Sequence, residues 1–144
     1  MEAIAELEEI LGGSGTLRRK LQSEMDLVDL SQAGVPKGAL LSLIRYLGWS
    51  VADMVSLLPI TERTVQRYGV RQRFKPAVSE QILDIAQVVA RGVEVFGDRQ
   101  RFLAWMGYPS AALGDKKPVD LLSSRFGADL VMKELGRIEH GIPS

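Results

Sequence analysis

The chain of 144 residues is long enough to bury an apolar core without a disulfide or metal staple, and its 46% hydrophobic and 25% charged residues exclude a disordered protein. It contains no cysteine and one histidine, which excludes a disulfide framework, the usual zinc sites and a cysteine nucleophile. The net charge is zero, but residues 31–76 hold seven bases and two acids, whereas residues 1–30 hold three bases and seven acids. The excess of basic residues therefore indicates that residues 31–76 would contact the phosphate backbone of a nucleic acid.

The first 33 residues give little functional information. Apolar residues at helical spacing predict a short helix from Met1 to Leu11, and the glycines of residues 12–15 predict a flexible joint. The acidic start lacks the basic region of a signal peptide, and no apolar stretch is long enough to span a bilayer, so we expect a cytoplasmic protein. The role of residues 1–33 stays open between a lid, a dimer contact and a disordered tail.

Residues 34–76 have the layout of a helix-turn-helix. Apolar residues at i, i+3, i+4 and i+7 predict a first helix from Lys37 that ends at Gly48. Ser50 is a good cap for a second helix, which we expect to run to about Leu58. Pro59 then ends that helix, and Thr61 caps a third one after a very short turn. In a helix-turn-helix the third helix lies in the major groove of DNA.

The third helix has an apolar side and a polar side. Val65 and Tyr68 must face the other two helices, so the polar side is free to contact DNA, where arginine pairs with guanine and glutamine with adenine. Basic residues that follow the helix, including Lys75, would neutralise flanking phosphates. The alternative is that these side chains form an ordinary solvated helix face. The candidate DNA-binding residues are Thr61, Arg63, Thr64, Gln66, Arg67, Arg71 and Arg73.

Residues 77–144 also predict helices only. Ser79 is a candidate cap for a long helix to Phe96, whose wide apolar stripe indicates central burial or dimerisation. Gly97 ends that helix, Asp98 caps the next one, and a last helix is expected to carry four apolar residues before it stops at Gly141. Those four residues are Leu130, Val131, Leu135 and Ile138. No segment alternates like a strand, so the predicted fold class is all-α: a helix-turn-helix module followed by a C-terminal helical domain.

These motifs together resemble a known family, the antitoxins of Xre/MbcA/ParS type that accompany RES-domain toxins. The resemblance covers about residues 34–144. In the first part it rests on Gly34-Val35-Pro36, Leu47-Gly48-Trp49-Ser50 and residues 60–67. In the second part it rests on Val95-Phe96-Gly97-Asp98, Pro109, Ala112-Leu113-Gly114, residues 118–122 and residues 136–141.

The resemblance implies two activities. Residues 34–76 would bind the operator of the chain's own operon, and residues 77–144 would form a toxin-binding and dimerisation domain that neutralises a toxin consuming NAD. The end of the chain would lie against the toxin and obstruct its active site, and a homodimer within a larger complex is expected. The candidate toxin-binding residues are Arg137, Ile138, Glu139, His140, Gly141 and Ile142.

Enzymatic activity has no support in the sequence. The glycines of residues 12–15 lack the lysine of a phosphate-binding loop, and no nucleophile with a base or metal-ligand cluster occurs, so we predict neither catalysis nor a cofactor. Two other functions remain open: a helix-turn-helix transcriptional regulator with no toxin partner, and a toxin inhibitor that does not bind DNA.

Overall fold

The structure, a computed structural model, describes residues 2–141, with the backbone alone for residues 2 and 3. Within this range the chain forms helices and no sheet, as predicted; two isolated bridges join Pro36 to Arg73 and Ser110 to Lys116. Short 3-10 turns cover Ala111–Leu113 and Pro118–Leu121. The helices are α1 (Glu2–Ile10), α2 (Gly13–Leu17), α3 (Glu24–Ala33), α4 (Lys37–Leu47), α5 (Val51–Val55), α6 (Glu62–Arg67), α7 (Pro76–Phe96), α8 (Arg99–Met106) and α9 (Arg125–Glu139).

Helix α7 is the centre of the fold. The middle of its apolar stripe is fully buried, with Ile82, Ala86 and Val89 at 0% exposure, because α1, α3, α8 and α9 pack around it. Central burial is therefore confirmed, and these three positions are not available to a second chain. Val93, Val95 and Phe96 at the end of the stripe are half-buried, so dimerisation through this part of α7 stays a prediction.

The start of α7 differs from the prediction. Pro76 occupies the first turn, where its missing amide hydrogen is not needed, and Ser79 lies inside the helix instead of capping it. The Ser79 hydroxyl is buried; it accepts a hydrogen bond of 2.8 Å from the Val35 amide and donates one of 3.1 Å to the Phe74 carbonyl. It therefore ties α7 to the segment that precedes α4.

Residues 2–33 are helical and belong to the core. Leu7, Leu11 and Leu17 are buried, and α1 and α3 both pack against α7. The predicted flexible joint was wrong: after Gly12, which has a positive φ of 98°, the chain forms α2. The disordered-tail alternative for residues 1–33 does not hold for the described part of that segment.

Two glycines allow helices to approach closely in the C-terminal half. A Cβ atom on Gly92 would lie 2.0 Å from the ring of Phe102, which is fully buried between α7 and α8. A Cβ atom on Gly127 would lie 1.8 Å from the Leu121 carbonyl oxygen, so the start of α9 rests on the backbone of the second 3-10 turn.

Helix α9 carries the four predicted apolar residues; it buries Val131 and Leu135 against α7 and half-buries Ile138. Leu130 is 49% exposed, because its neighbour Val131 takes the inward position. No helix within residues 2–141 is long and apolar enough to cross a membrane.

Candidate functional site

The helix-turn-helix consists of α4, α5 and α6, and its helix ends match the predicted caps. Gly48 ends α4 with a φ of 71°, and the Ser50 hydroxyl accepts a hydrogen bond of 3.0 Å from the Asp53 amide at the start of α5. Thr61 caps α6 by accepting 3.1 Å from the Thr64 amide. Helix α5 ends at Val55, three residues earlier than predicted, and a turn leads from there towards α6.

Charge strengthens the cap of α5. The Asp53 carboxylate accepts a hydrogen bond of 3.0 Å from the Ser50 amide. This bond, with a further one from the Ser50 hydroxyl, holds the pKa of Asp53 below its ordinary value. The carboxylate therefore stays ionised in the first turn, where the helix dipole favours a negative charge.

Helix α6 presents a polar face, and its apolar side points into the protein. Val65 is buried and Tyr68 is half-buried, where its ring stacks on Phe74 at 5.0 Å. Three predicted DNA-contact residues of this face are exposed, and none of them forms an ion pair within the described residues. They are Arg63, Gln66 and Arg67.

The two predicted threonines have a different environment. The Thr61 and Thr64 hydroxyls bond to each other at 2.9 Å, and Thr61 also accepts from the Thr64 amide. Thr64 is half-buried. Both hydroxyls therefore stabilise the start of α6, and one hydroxyl proton remains for an outside acceptor.

The basic residues after α6 divide into two kinds. Arg71 and Lys75 are exposed, whereas Arg73 is half-buried and donates hydrogen bonds to the carbonyls of Gly34 at 2.5 Å and Leu17 at 3.3 Å. The guanidinium of Arg73 thus joins three segments of the fold, and its phosphate contact stays a prediction. Lys37 is used similarly, since its ammonium donates 2.8 Å to the carbonyl of Tyr68 at the end of α6.

The end of α9 holds the candidate toxin-binding residues, and an arginine of α7 anchors it. Arg91 donates two hydrogen bonds to the carboxylate of Glu139, one of them 2.9 Å long, and a third of 2.6 Å to Glu94. The hydrogen bond from Arg91 lowers the pKa of Glu139. Glu139 therefore fixes the position of the helix end.

The other candidates of this set surround that anchor. The Nε of Arg137 lies 3.7 Å from the buried carboxylate of Glu134, and Ile138 is half-buried. His140 and Gly141 are exposed, and Gly141 has a φ of 71° that turns the chain at the predicted stop. Ile142 lies outside the described residues.

The sequence reasoning missed Arg91. Its partner Glu139 is 48 residues away along the chain, so no local pattern could pair them. The available signal was an arginine in the longest predicted helix, which requires an acidic partner or solvent. Within the described residues, no three acidic, histidine or cysteine side chains come together as a possible metal site.

Two family models match the chain, one in each half. Residues 26–87 match the antitoxin Xre-like helix-turn-helix domain. Residues 91–141 match the antitoxin Xre/MbcA/ParS C-terminal toxin-binding domain. The helix-turn-helix model therefore contains α4, α5 and α6, and the C-terminal model begins at Arg91.

Curated relatives and a solved structure give the same result. The chain is 30% identical over 118 residues to the antitoxin Xre of Yersinia enterocolitica, covering 81% of this chain and 80% of the relative. It is 33% identical over 101 residues to the antitoxin Xre of Photorhabdus laumondii, covering 67% and 68%. Its fold matches a chain of the M. tuberculosis MbcT–MbcA toxin–antitoxin complex with a TM-score of 0.55 and 19% identity, over 86% of this chain and 100% of that one.

Proposed function

The chain belongs to the Xre family of antitoxins, a non-enzymatic class, and we propose that it neutralises a RES-domain toxin and represses its own operon by binding operator DNA. Each activity has its own surface. DNA would meet the polar face of α6, and the toxin would meet the end of α9. The observation that carries the proposal is that both surfaces are solvent-exposed and held by specific anchors.

The DNA half rests on the exposed face of α6. Arg63, Gln66 and Arg67 project from a helix that is fixed at its start by the Thr61 cap and at its end by the Lys37 ammonium. A recognition helix needs this rigidity, because base contacts require side chains held in one orientation. Arg71 follows the helix as an exposed cation for a flanking phosphate.

Alanine substitution of the α6 arginines tests this half. The wild-type chain should bind a duplex carrying the DNA upstream of its gene, and Arg63→Ala and Arg67→Ala should each weaken binding by about tenfold or more, as expected for a base contact worth about 1–3 kcal/mol. The matched control is Arg101→Ala, an exposed arginine on α8. Affinities measured by fluorescence anisotropy that do not change would remove α6 from the DNA interface.

The toxin half rests on the end of α9. The bond between Arg91 and Glu139 fixes the last turn of α9, and the exposed His140 and Gly141 follow directly after this turn. Arg137 lies one turn before them on the same helix. The Arg137 guanidinium and the His140 imidazole are thus exposed at the end of α9, where they would meet the active site of a toxin that degrades or transfers from NAD.

Co-purification with the product of the adjacent gene tests this half. We expect a stable complex in which the toxin's NAD consumption is suppressed, and we expect Arg137→Ala and His140→Ala to weaken the suppression. Lys116→Ala is the control, because Lys116 is exposed in the loop between the 3-10 turns. An adjacent product that does not bind, or that consumes NAD equally in the complex, would contradict this half of the proposal.

The two alternatives predict different combinations of results. A regulator with no toxin partner would bind the upstream duplex and leave the adjacent product active. A toxin inhibitor that does not bind DNA would suppress NAD consumption, and the Arg63 and Arg67 variants would behave like the wild type. The bifunctional protein loses DNA binding in those variants and keeps full toxin neutralisation.

We further propose a division of labour and an assembly state. Residues 34–76 bind DNA, and residues 1–33 support this DNA-binding part. Residues 77–144 bind the toxin and form the dimer. A cytoplasmic homodimer within a larger complex fits a helix-turn-helix, because such proteins read paired half-sites. Light scattering coupled to gel filtration, with and without toxin, measures the state; a monomer under both conditions would exclude it.

A further inference from the structure

A basic groove lies between the N-terminal segment and the helix-turn-helix. It has a volume of about 610 Å³ and is lined by α2 with the residue that follows it, by one side of α4 from its start to its last turn, and by the segment after α6. No carboxylate lines it, and Arg18, Arg45 and Arg71 each come from a different one of these three parts. We call it the arginine groove. The lining residues are Gly15, Thr16, Arg18, Pro36, Gly38, Leu41, Arg45, Val70 and Arg71.

Backbone contacts hold the three walls together. The amides of Lys37 and Gly38 donate hydrogen bonds of 2.9 Å to the carbonyls of Gln72 and Val70. A Cβ atom on Gly38 would lie only 3.3 Å from the side chain of Thr16 and 3.4 Å from the Val70 carbonyl, so α2, α4 and the segment after α6 meet tightly at the floor. The groove is therefore a fixed feature.

The groove is also continuous with α6. Val70 follows the end of α6 by three residues, and the Lys37 ammonium bonds to the Tyr68 carbonyl between them. A DNA strand that passes the end of the recognition helix would reach the groove next. This position distinguishes the groove from basic surfaces elsewhere on the molecule.

The three arginines are exposed and form no ion pair within residues 2–141. Other arginines of the fold are engaged: Arg73 binds carbonyls, and Arg91 binds carboxylates. Three guanidinium groups around one groove repel each other, and an anionic ligand offsets this repulsion. Guanidinium groups bind phosphate oxygens through paired hydrogen bonds.

We propose that the arginine groove binds the sugar–phosphate backbone that flanks the base pairs read by α6. This inference rests on the DNA binding proposed above and adds Arg18 and Arg45 to it. Arg18 lies before residue 26, where the match to the helix-turn-helix family model begins. The N-terminal segment of this chain therefore extends the DNA footprint beyond the matched domain.

The double variant Arg18→Gln/Arg45→Gln tests the groove. DNA affinity is measured between about 50 and 200 mM salt on the upstream duplex and on a scrambled duplex. Two lost phosphate contacts should reduce the slope of log K against log salt by about 1.8, and at about 0.1 M salt the affinity should fall by about tenfold per contact. The affinity for the two duplexes should fall by the same factor, because phosphate carries no sequence information.

Two further variants complete the test. Arg101→Gln/Lys133→Gln removes the same charge from exposed positions on α8 and α9 and should leave the slope unchanged. The double variant Arg18→Lys/Arg45→Lys keeps both positive charges, so the slope of log K against log salt should stay close to that of the wild type. All three double variants should melt close to the wild type, because every substituted side chain is exposed.

The possible failures are distinct. If the wild-type chain binds neither duplex, the DNA half of the proposed function fails and the groove proposal fails with it. The groove proposal alone is overturned in two cases in which the wild type binds DNA. In the first, the Arg18/Arg45 glutamine variant keeps the wild-type salt slope. In the second, its DNA affinity falls no further than that of the Arg101/Lys133 control. Loss of toxin binding with unchanged DNA binding would assign the groove to an acidic protein surface and would overturn it as well.

Discussion

The contact between Gly127 and the second 3-10 turn predicts a large loss of stability on adding one methyl group. The Cβ of Gly127→Ala would lie 1.8 Å from the Leu121 carbonyl oxygen, whereas real Cβ atoms stay beyond 3.0 Å, so the two backbones must separate by about 1.2 Å. A side chain could rotate away from such a clash, but a peptide carbonyl cannot. The start of α9 must therefore move relative to the turn.

The expected magnitude follows from two opposing terms. Overpacking costs about 1–3 kcal/mol, and the backbone clash places this variant at or above the upper value. Alanine in place of glycine in a helix returns at most about 1 kcal/mol. The net loss in the free energy of unfolding should be at least about 2 kcal/mol, which lowers the melting temperature by about 4–8 °C for a domain of this size.

Gly136→Ala is the matched control on the same helix. A Cβ at residue 136 meets no atom within 4 Å, so only the helix-propensity gain applies, and stability should rise by about 0.5–1 kcal/mol. Urea titration and thermal melting measure both variants. If Gly127→Ala is as stable as the wild type, the close approach of α9 to Leu121 costs nothing and the reasoning fails.

Three other substitutions test particular contacts. Ser79→Ala should lower the free energy of unfolding by about 1–3 kcal/mol in urea titration, because the buried Val35 amide loses its acceptor; an unchanged midpoint would contradict this. Burial raises the folded-state pKa of Asp84 above its ordinary value of 3.8, so the wild type loses stability as pH rises through that pKa and the carboxyl ionises. Asp84→Asn cannot ionise, so its melting temperature relative to that of the wild type should increase from about pH 3 to about pH 7. A difference in melting temperature that does not change with pH would contradict the raised pKa of Asp84. Arg91→Gln should weaken toxin suppression in the NAD assay and Arg91→Lys should restore part of it, because Glu139 loses its anchor; equal inhibition by all three proteins would show that the anchor is not needed.

Local sequence patterns predicted the helix ends well. Ser50, Thr61 and Asp98 each cap a helix through bonds to amides two or three residues away, and a cap of this kind depends only on its near neighbours. The same holds for Gly48 and Gly97, which take positive φ values of 71° and 72° at the ends of α4 and α7. Both the helical fold class and the position of the recognition helix follow from these signals.

Several positions differ from the sequence-based expectation because their contacts are distant in sequence. Ser79 resembles a cap locally but binds Val35, 44 residues away, and Arg73 resembles a surface cation but binds Leu17, 56 residues away. The glycines of residues 12–15 predicted a flexible joint, yet α2 forms there because Leu17 is buried completely. Tertiary burial decided each case, and no pattern within one helix contains that information.

The shared core determines how the two proposed activities can be separated. Helix α7 contacts α1 and α3 in the N-terminal part of the chain and α8 and α9 in the C-terminal part, so we expect the described residues to unfold as one cooperative unit. A substitution that leaves a cavity in the buried stripe of α7, such as Val89→Ala, should therefore impair both activities together. Substitutions at exposed positions leave this core intact, so loss of one activity alone can be assigned to a surface. For this reason, the substitutions in α6, the arginine groove and the end of α9 are placed at exposed residues, and measuring both activities on each variant would assign each loss to one surface.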